Sequence, residues 1–361
     1  MCVKLLQMLV ICSACTHSQV RAPVHTAPFA SAVDRLLGEY HARGDFDGVV
    51  AIRKHGALVY LAAFGAADRE ATRALMVGDV FPLASLTKQV TAVLVMQEVA
   101  AHHLALGDQV QQYVPEIAHP ITIKQLLQHT SGMPDPEAGI ADNAVSPFYQ
   151  HRAVGDAHAE AKRCVEGVFD PPGSFRYNNC DYIVLGAVLE HVTGHTFTQL
   201  VHERVIARLG LTSWGVAAQH PPITVRSYRT DGARSPDVEL AAFGPAGAIY
   251  GDATDLSVFS QALLDHRLLD AASMTIMATG DPQLGMEALG SWGYELPVPG
   301  HTTPVALVER QGNIYGTRIL ALASPSDDFT ISILATTERA DLFNLWTHKG
   351  LPFELVTLVA K

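Results

Sequence analysis

Positive charge is scarce in this chain: 25 Lys and Arg stand against 36 Asp and Glu, a formal net charge of −11 with His neutral. No run of basic residues reverses that sign locally, so the field repels a phosphate backbone and nucleic acid is not an expected partner. The apolar run at residues 5–11 is far too short to span a bilayer. Cysteine is sparse too. Of five, Cys2, Cys12 and Cys15 fall in the first stretch, which leaves Cys164 and Cys180, sixteen positions apart. A bridge in an exported chain and two buried free thiols both satisfy that pattern. No Gly-x-Ser-x-Gly elbow occurs, which argues against an ordinary α/β-hydrolase. Internal repeats and low-complexity tracts are absent.

What is present is apolar material: 48% of the 361 residues are hydrophobic and 17% charged. That describes a globular protein with a large core, in one big domain or two subdomains. At the start, Lys4 supplies a positive n-region, residues 5–11 a short apolar core, and Ser13-Ala14-Cys15 small residues after it. This is a signal-peptide pattern, and it predicts an exported, periplasmic or envelope-associated protein. Cys15 has the placement of a lipidated cysteine that would anchor the chain to a membrane, although Cys12 stands where such leaders usually carry Leu. The expected division is a signal or lipoprotein leader over 1–22, a linker over 23–30 and one main domain over 31–361.

Within that domain, residues 32–41 carry Val33, Leu36, Leu37 and Tyr40 on one helical face. Residues 48–53 and 58–64 are apolar runs split by Lys54-His55-Gly56-Ala57, a hairpin signal. Residues 85–102 are apolar on every face, as in a buried central helix. Helices are expected over 122–128, over 178–193 with Gly194 as C-cap, over 197–209, over 252–265 and over 341–359. Residues 305–309, 317–323 and 330–336 read as strands. Strands at both chain ends with helices between them predict an α+β fold: one antiparallel sheet built from both ends, flanked by helices and carrying an all-helical insert.

Chemistry concentrates at Ser85-Leu86-Thr87-Lys88. Serine is a weak nucleophile and needs a base. Positions i and i+3 share a helix face, so the Lys88 amine can reach the Ser85 hydroxyl. Burial lowers a lysine pKa and turns the amine into a base, and the free N–H of Ser85 at the first turn can face an oxyanion. Of all the lysines, only Lys88 has Ser three residues before it. Tyr177-Asn178-Asn179, the only Tyr-x-Asn, follows the turn Asp170-Pro171-Pro172-Gly173. A nearby ammonium would hold Tyr177 partly as phenolate, fit to shuttle a proton. Arg310-Gln311-Gly312, then Asn313, ends a strand-like run. Gly312 on an edge strand would admit a substrate backbone, and Arg310 a substrate carboxylate.

These residues together resemble the serine β-lactamase-related family of class C β-lactamases, D-alanyl-D-alanine carboxypeptidases, D-aminopeptidases and related esterases. Four segments carry the resemblance in order: residues 81–88, the TIKQLLQHTSGM stretch at 122–133, residues 172–179 and the glycine-rich turn at 244–256. The Ser-x-x-Lys match is a known signature of relatives of this group. The resemblance implies Ser85 as acylated nucleophile, Lys88 as base and Tyr177 as proton shuttle. It implies Asn179 orienting Lys88 and the substrate amide, Arg310, Gln311 and Gly312 as substrate-binding residues, and an oxyanion hole from the Ser85 and Asn313 N–H groups. No metal and no cofactor are implied. The third motif departs from the usual Lys-Thr-Gly or His-x-Gly, since Arg cannot change protonation state. The expected activity is therefore a serine hydrolase acting on an ester, D-amino-acid peptide or β-lactam, as a small-molecule or peptide substrate. A penicillin-binding or sensing module with little turnover is the alternative. His129 reads as structural, and His191 and His195, one turn apart without a third ligand, as helix-end residues.

Overall fold

The computed structural model describes residues 21–141, 144–150, 157–218 and 220–361. The leader features at Lys4, residues 5–11, Cys2, Cys12 and Cys15 lie outside the described residues. A seven-stranded antiparallel sheet forms the frame. Its strands are β1 (Val24–His25), β2 (Gly48–Lys54), β3 (Ala57–Phe64), β4 (Trp292–Leu296), β5 (Val305–Ile314), β6 (Thr317–Ser324) and β7 (Phe329–Ala335), in spatial order β1-β3-β2-β7-β6-β5-β4. Strands from the two ends of the chain meet where β2 pairs β7, with Val50 opposite Ile333. Two-residue turns close β2–β3 and β5–β6. His55 (φ 50°) with Gly56 (φ 73°), and Tyr315 (φ 35°) with Gly316 (φ 89°), supply the left-handed pairs that such hairpins need.

Period-two alternation gives the sheet two apolar faces. Val50, Ile52, Leu320, Leu322, Ile331 and Ile333 pack with Val33 and Leu37 of α1 (Ala30–Ala42) and Leu355 and Val356 of α7 (Leu351–Val359). Val49, Ala51, Ile319, Ala321 and Leu334 face the larger core. That core holds α2 (Thr87–Ala100), α3 (Ile123–Leu127), α4 (Ala157–Arg163), α5 (Asn179–Thr193) and α6 (Ala253–Leu264). Each fully buried Val, Leu or Ile contributes about 1.5–3 kcal/mol, so α2, buried on all sides from Thr87 to Met96, is held by packing rather than by caps.

Four expectations are corrected. Residues 23–30 are not a free linker, because Val24 and His25 pair Leu61 and Tyr60 as an edge strand. The closing helix starts at Leu351 rather than 341, since Gly350 (φ 83°) and Pro352 set its first turn. The strand predicted over 305–309 runs on to Ile314. An unpredicted strand, β4, covers β5 from Val305 to Glu309, so β5 is an edge only beyond Glu309. Cys164, just after α4, is disulfide-bonded to Cys180 in the first turn of α5, which settles the open question of those thiols.

Candidate active site

Three elements bring the reactive groups together. Ala84–Leu86 forms a 3-10 turn that runs straight into α2. Ala84 sits at φ 50°, a left-handed conformation costly for a residue with a Cβ, directly before Ser85. One turn on, Lys88 is fully buried, with Nζ 3.1 Å from Ser85 Oγ. The same Nζ donates to Asn179 Oδ1 at 2.6 Å and to the Ala246 carbonyl at 2.8 Å. As an ammonium Lys88 donates to all three oxygens; once it has lost a proton, the Asn179 and Ala246 acceptors hold its two hydrogens and its lone pair faces Ser85. Burial, aided by the Arg310 charge, pushes the Lys88 pKa well below the usual lysine range.

Asn178 caps α5 through Cys180 N–H at 2.8 Å, which sets Tyr177 just ahead of the helix and Asn179 in its first turn. Tyr177 donates its hydroxyl to Ser85 Oγ at 2.5 Å. Burial raises its pKa despite the opposing Arg310 charge and the Ser85 hydrogen bond, so Tyr177 rests as a neutral phenol. The partial phenolate expected from the neighbouring lysine is not favoured, because desolvation of the buried phenol outweighs the positive charge beside it.

β5 contributes the third wall. Arg310 is fully buried, donating from Nε to the Ser85 carbonyl at 2.9 Å and from Nη2 to the Tyr177 hydroxyl at 3.2 Å. Its guanidinium braces the nucleophile turn and the phenol. Its Nη1 is buried without a partner and Arg310 lines the cleft, so the donor that the sequence reading assigned to a substrate carboxylate is still uncommitted. Gly312 is required here because a Cβ would lie 2.5 Å from the Leu83 carbonyl. Gln311 and exposed Asn313 line the same cleft, whose volume is about 510 Å³. The β5–β6 turn register turns the Gln311 and Asn313 backbone groups away from β6, toward the side that β4 leaves open after Glu309.

Three features went unread in the sequence. The Ala246 carbonyl lies in the glycine-rich turn, which was recognisable, but nothing marked that particular carbonyl. Glu137, a loop carboxylate two residues after Asp135, accepts from Asn179 Nδ2 at 3.1 Å and lines the cleft. Tyr149 takes the other Asn179 hydrogen at 2.8 Å. His129 does not touch Ser85. It is buried beside Asp181, with Nδ1 2.9 Å from Asp181 Oδ2.

Penicillin-binding protein 4 of Amycolatopsis lactamdurans is 28% identical over 309 residues, 77% of this chain and 75% of that one. Esterase EstB of Burkholderia gladioli is 31% identical over 213 residues, covering 54% of this chain and 53% of the esterase, so the chain spans about half that relative's length. The D-amino acid amidase structure from Ochrobactrum anthropi SV3 with D-phenylalanine superposes at a TM-score of 0.75 and 20% identity, over 92% of this chain and 98% of that one, a likeness of fold. A family model described as Beta-lactamase matches residues 30–349, and with the Ser85, Lys88 and Tyr177 geometry inside that span, the chain belongs to the beta-lactamase family.

Proposed function

We propose that this protein is a serine hydrolase that forms an acyl-enzyme on Ser85, with a preference for aminoacyl esters or amides carrying a free ammonium. The observation that carries the chemistry is Ser85 Oγ held between Lys88 Nζ at 3.1 Å and Tyr177 OH at 2.5 Å. The neutral Lys88 amine takes the Ser85 proton as Oγ attacks the substrate carbonyl. The developing oxyanion sits between the Ser85 and Asn313 N–H groups. Tyr177 then protonates the leaving group as the carbonyl–leaving-group bond breaks. Arg310, which cannot titrate, stabilises the resulting phenolate until the Lys88 ammonium returns the proton. Water attacks the acyl-enzyme by the same groups in reverse and frees Ser85.

Glu137 supports the choice of substrate. It is a carboxylate in the cleft wall, tied to Asn179, whose partner Lys88 is the base beside the scissile carbonyl. A free α-ammonium there would gain a charge-assisted hydrogen bond that an acylated amine would not. The names of the relatives, an esterase and a D-amino acid amidase, agree with ester or amide cleavage. Activity toward a D-aminoacyl p-nitroanilide and its N-acetyl derivative tests this. Ser85→Ala should abolish turnover, and Glu137→Gln should remove a preference for the free amine. No Ser85-dependent turnover or fluorophosphonate labelling would overturn the enzyme reading.

Export accompanies this proposal. The leader pattern over 1–22 and the Cys164–Cys180 bridge both suit an oxidising envelope compartment, with Cys15 as lipid attachment point. Mass spectrometry of the mature N-terminus decides it: a diacylglyceryl cysteine at Cys15 supports anchoring, and an unmodified N-terminus beyond it excludes anchoring.

A further inference from the structure

Arg21, just ahead of β1, is seated in a socket of buried acids. Its Nε lies 2.8 Å from Asp252 Oδ2, and its Nη2 donates to Asp255 Oδ1 at 2.6 Å and to Thr212 Oγ1 at 3.1 Å. Asp252 and Asp255 keep only 2% and 5% of their side-chain surface exposed, against 20% for Arg21. Among the described residues, no other Lys, Arg or His pairs with either acid. The socket opens into a groove of about 1120 Å³ that shares no lining residue with the reaction cleft. The acyl-transfer chemistry does not use it.

The other carboxylate oxygens serve the fold. Asp252 Oδ1 caps α6 by accepting from Asp255 N at 2.8 Å. Asp255 Oδ2 accepts from Thr212 N at 2.7 Å, Ser213 N at 2.7 Å and Ser213 Oγ at 2.8 Å. Asp252 directly follows the short strand Ile249–Gly251, which pairs Phe81 and Pro82 just ahead of the nucleophile turn and accepts from Leu83 N at 2.8 Å through the Ile249 carbonyl. Burial pushes the Asp252 carboxyl up to about 6 even with Arg21 beside it. A chain without Arg21 would leave two neighbouring acids buried with no cation, next to the strand that holds the nucleophile segment. Removing one partner of a buried ion pair in this way is strongly destabilising.

We infer that Arg21 belongs to the mature protein as its N-terminal anchor, so that the leader is cut at a bond between Ala14 and Arg21. This sets the boundary upstream of the residue-22 end expected from the sequence, and it rests on the export reading above. Cys15 stands six positions before Arg21, a reach of at most about 20 Å along an extended chain. A lipid on Cys15 would therefore hold the Asp252 end of α6 within that distance of the bilayer surface.

Two measurements test this. The first is N-terminal peptide mapping of the protein isolated from the envelope of a bacterium that exports it. The first residue should lie between Cys15 and Arg21, and a folded, active protein that begins at Ala22 or later overturns the inference. An intact Met1 overturns the export reading and the cut with it, and leaves the socket to the second measurement. That measurement compares thermal melts of native protein, Arg21→Gln, Asp252→Asn and the double variant near neutral pH. Arg21→Gln should melt below native protein, and Arg21→Lys should recover part of the loss. Asp252→Asn should be more favourable in the Arg21→Gln chain than in the native one, because there it removes an unpaired buried acid. An unchanged Tm in Arg21→Gln, or shifts of the two substitutions that simply add, overturn the socket.

Discussion

His129 grips the chain on both sides of Tyr177. Its carbonyl accepts from Arg176 N at 2.8 Å, its Nδ1 accepts from Asn178 N at 3.2 Å, and its ring lies 4.5 Å from the Tyr177 ring. His129 takes a left-handed φ of 54° to do so. The histidine thus aims the tyrosine without touching Ser85, and it acts as a positioning residue.

His129→Leu should therefore lower kcat by about 10- to 100-fold, the effect of misplacing a reacting group by an ångström or so, with little change in KM. Lost hydrogen bonding at the buried site costs a further ~1–3 kcal/mol of stability. His129→Asn should recover much of both, because Asn tolerates φ > 0 and places a polar atom near the Nδ1 position. Steady-state kinetics and thermal melts of the two variants separate these outcomes. Equal losses in both would show that the ring, not Nδ1, is what matters.

The partner of His129 makes a prediction of opposite sign. His129 Nδ1 meets both the Asn178 N–H at 3.2 Å and Asp181 Oδ2 at 2.9 Å, and burial raises the Asp181 pKa well above the carboxylate range. A carboxyl whose folded pKa exceeds its unfolded value costs stability as pH rises, since the unfolded chain releases a proton that the folded chain keeps. Asp181→Asn can donate to Nδ1 and accept from Ser131 as the acid does. Its Tm should equal or exceed that of the native protein, by a margin that widens between about pH 5 and about pH 8. A margin that narrows with pH would place the charge on Asp181.

The frame and the nucleophile were legible because each follows from a local pattern. Apolar runs split by turn residues marked β2, β3, β6 and β7, and a helix apolar on every face marked the wall that buries Lys88. Ser85, Lys88, Tyr177 and Asn179 are joined by spacing within two short segments, and the fold does bring those segments together. Arg310 was legible as a cation, but the sheet face it takes follows from the pleat of β5, where Arg310 and Gly312 alternate with Glu309 and Gln311 and the guanidinium meets Ser85 and Tyr177. Glu137 has no spacing that ties it to Ser85, and only the closed cleft brings it against Asn179.

Lys88 should control the acid limb of the pH–rate profile. Its amine must be unprotonated to act, and burial together with Arg310 lowers its pKa. kcat/KM should thus rise with pH through a value well below the ordinary lysine range and hold until Tyr177, with its raised pKa, ionises. Arg310→Gln removes a positive charge that depresses Lys88, so the acid limb should move to higher pH besides any loss of rate. An unshifted limb would assign it to another group.

The disulfide connects stability to the same site. Cys164 and Cys180 are 16 residues apart, and closing a loop of that size stabilises a protein by about 3 kcal/mol. Cys180 follows Asn179 in the first turn of α5, and Asn179 Oδ1 fixes Lys88 Nζ at 2.6 Å. Releasing the bridge should loosen that turn before the sheet, whose strands do not depend on it. Reduction of native protein should lower the denaturation midpoint and reduce kcat at temperatures below melting. Cys164→Ala/Cys180→Ala should show both effects without reductant and respond to reductant no further. A midpoint loss with unchanged kcat would confine the bridge to stability. If reduction changed neither, the start of α5 would be held by the Asn178 cap and core packing alone.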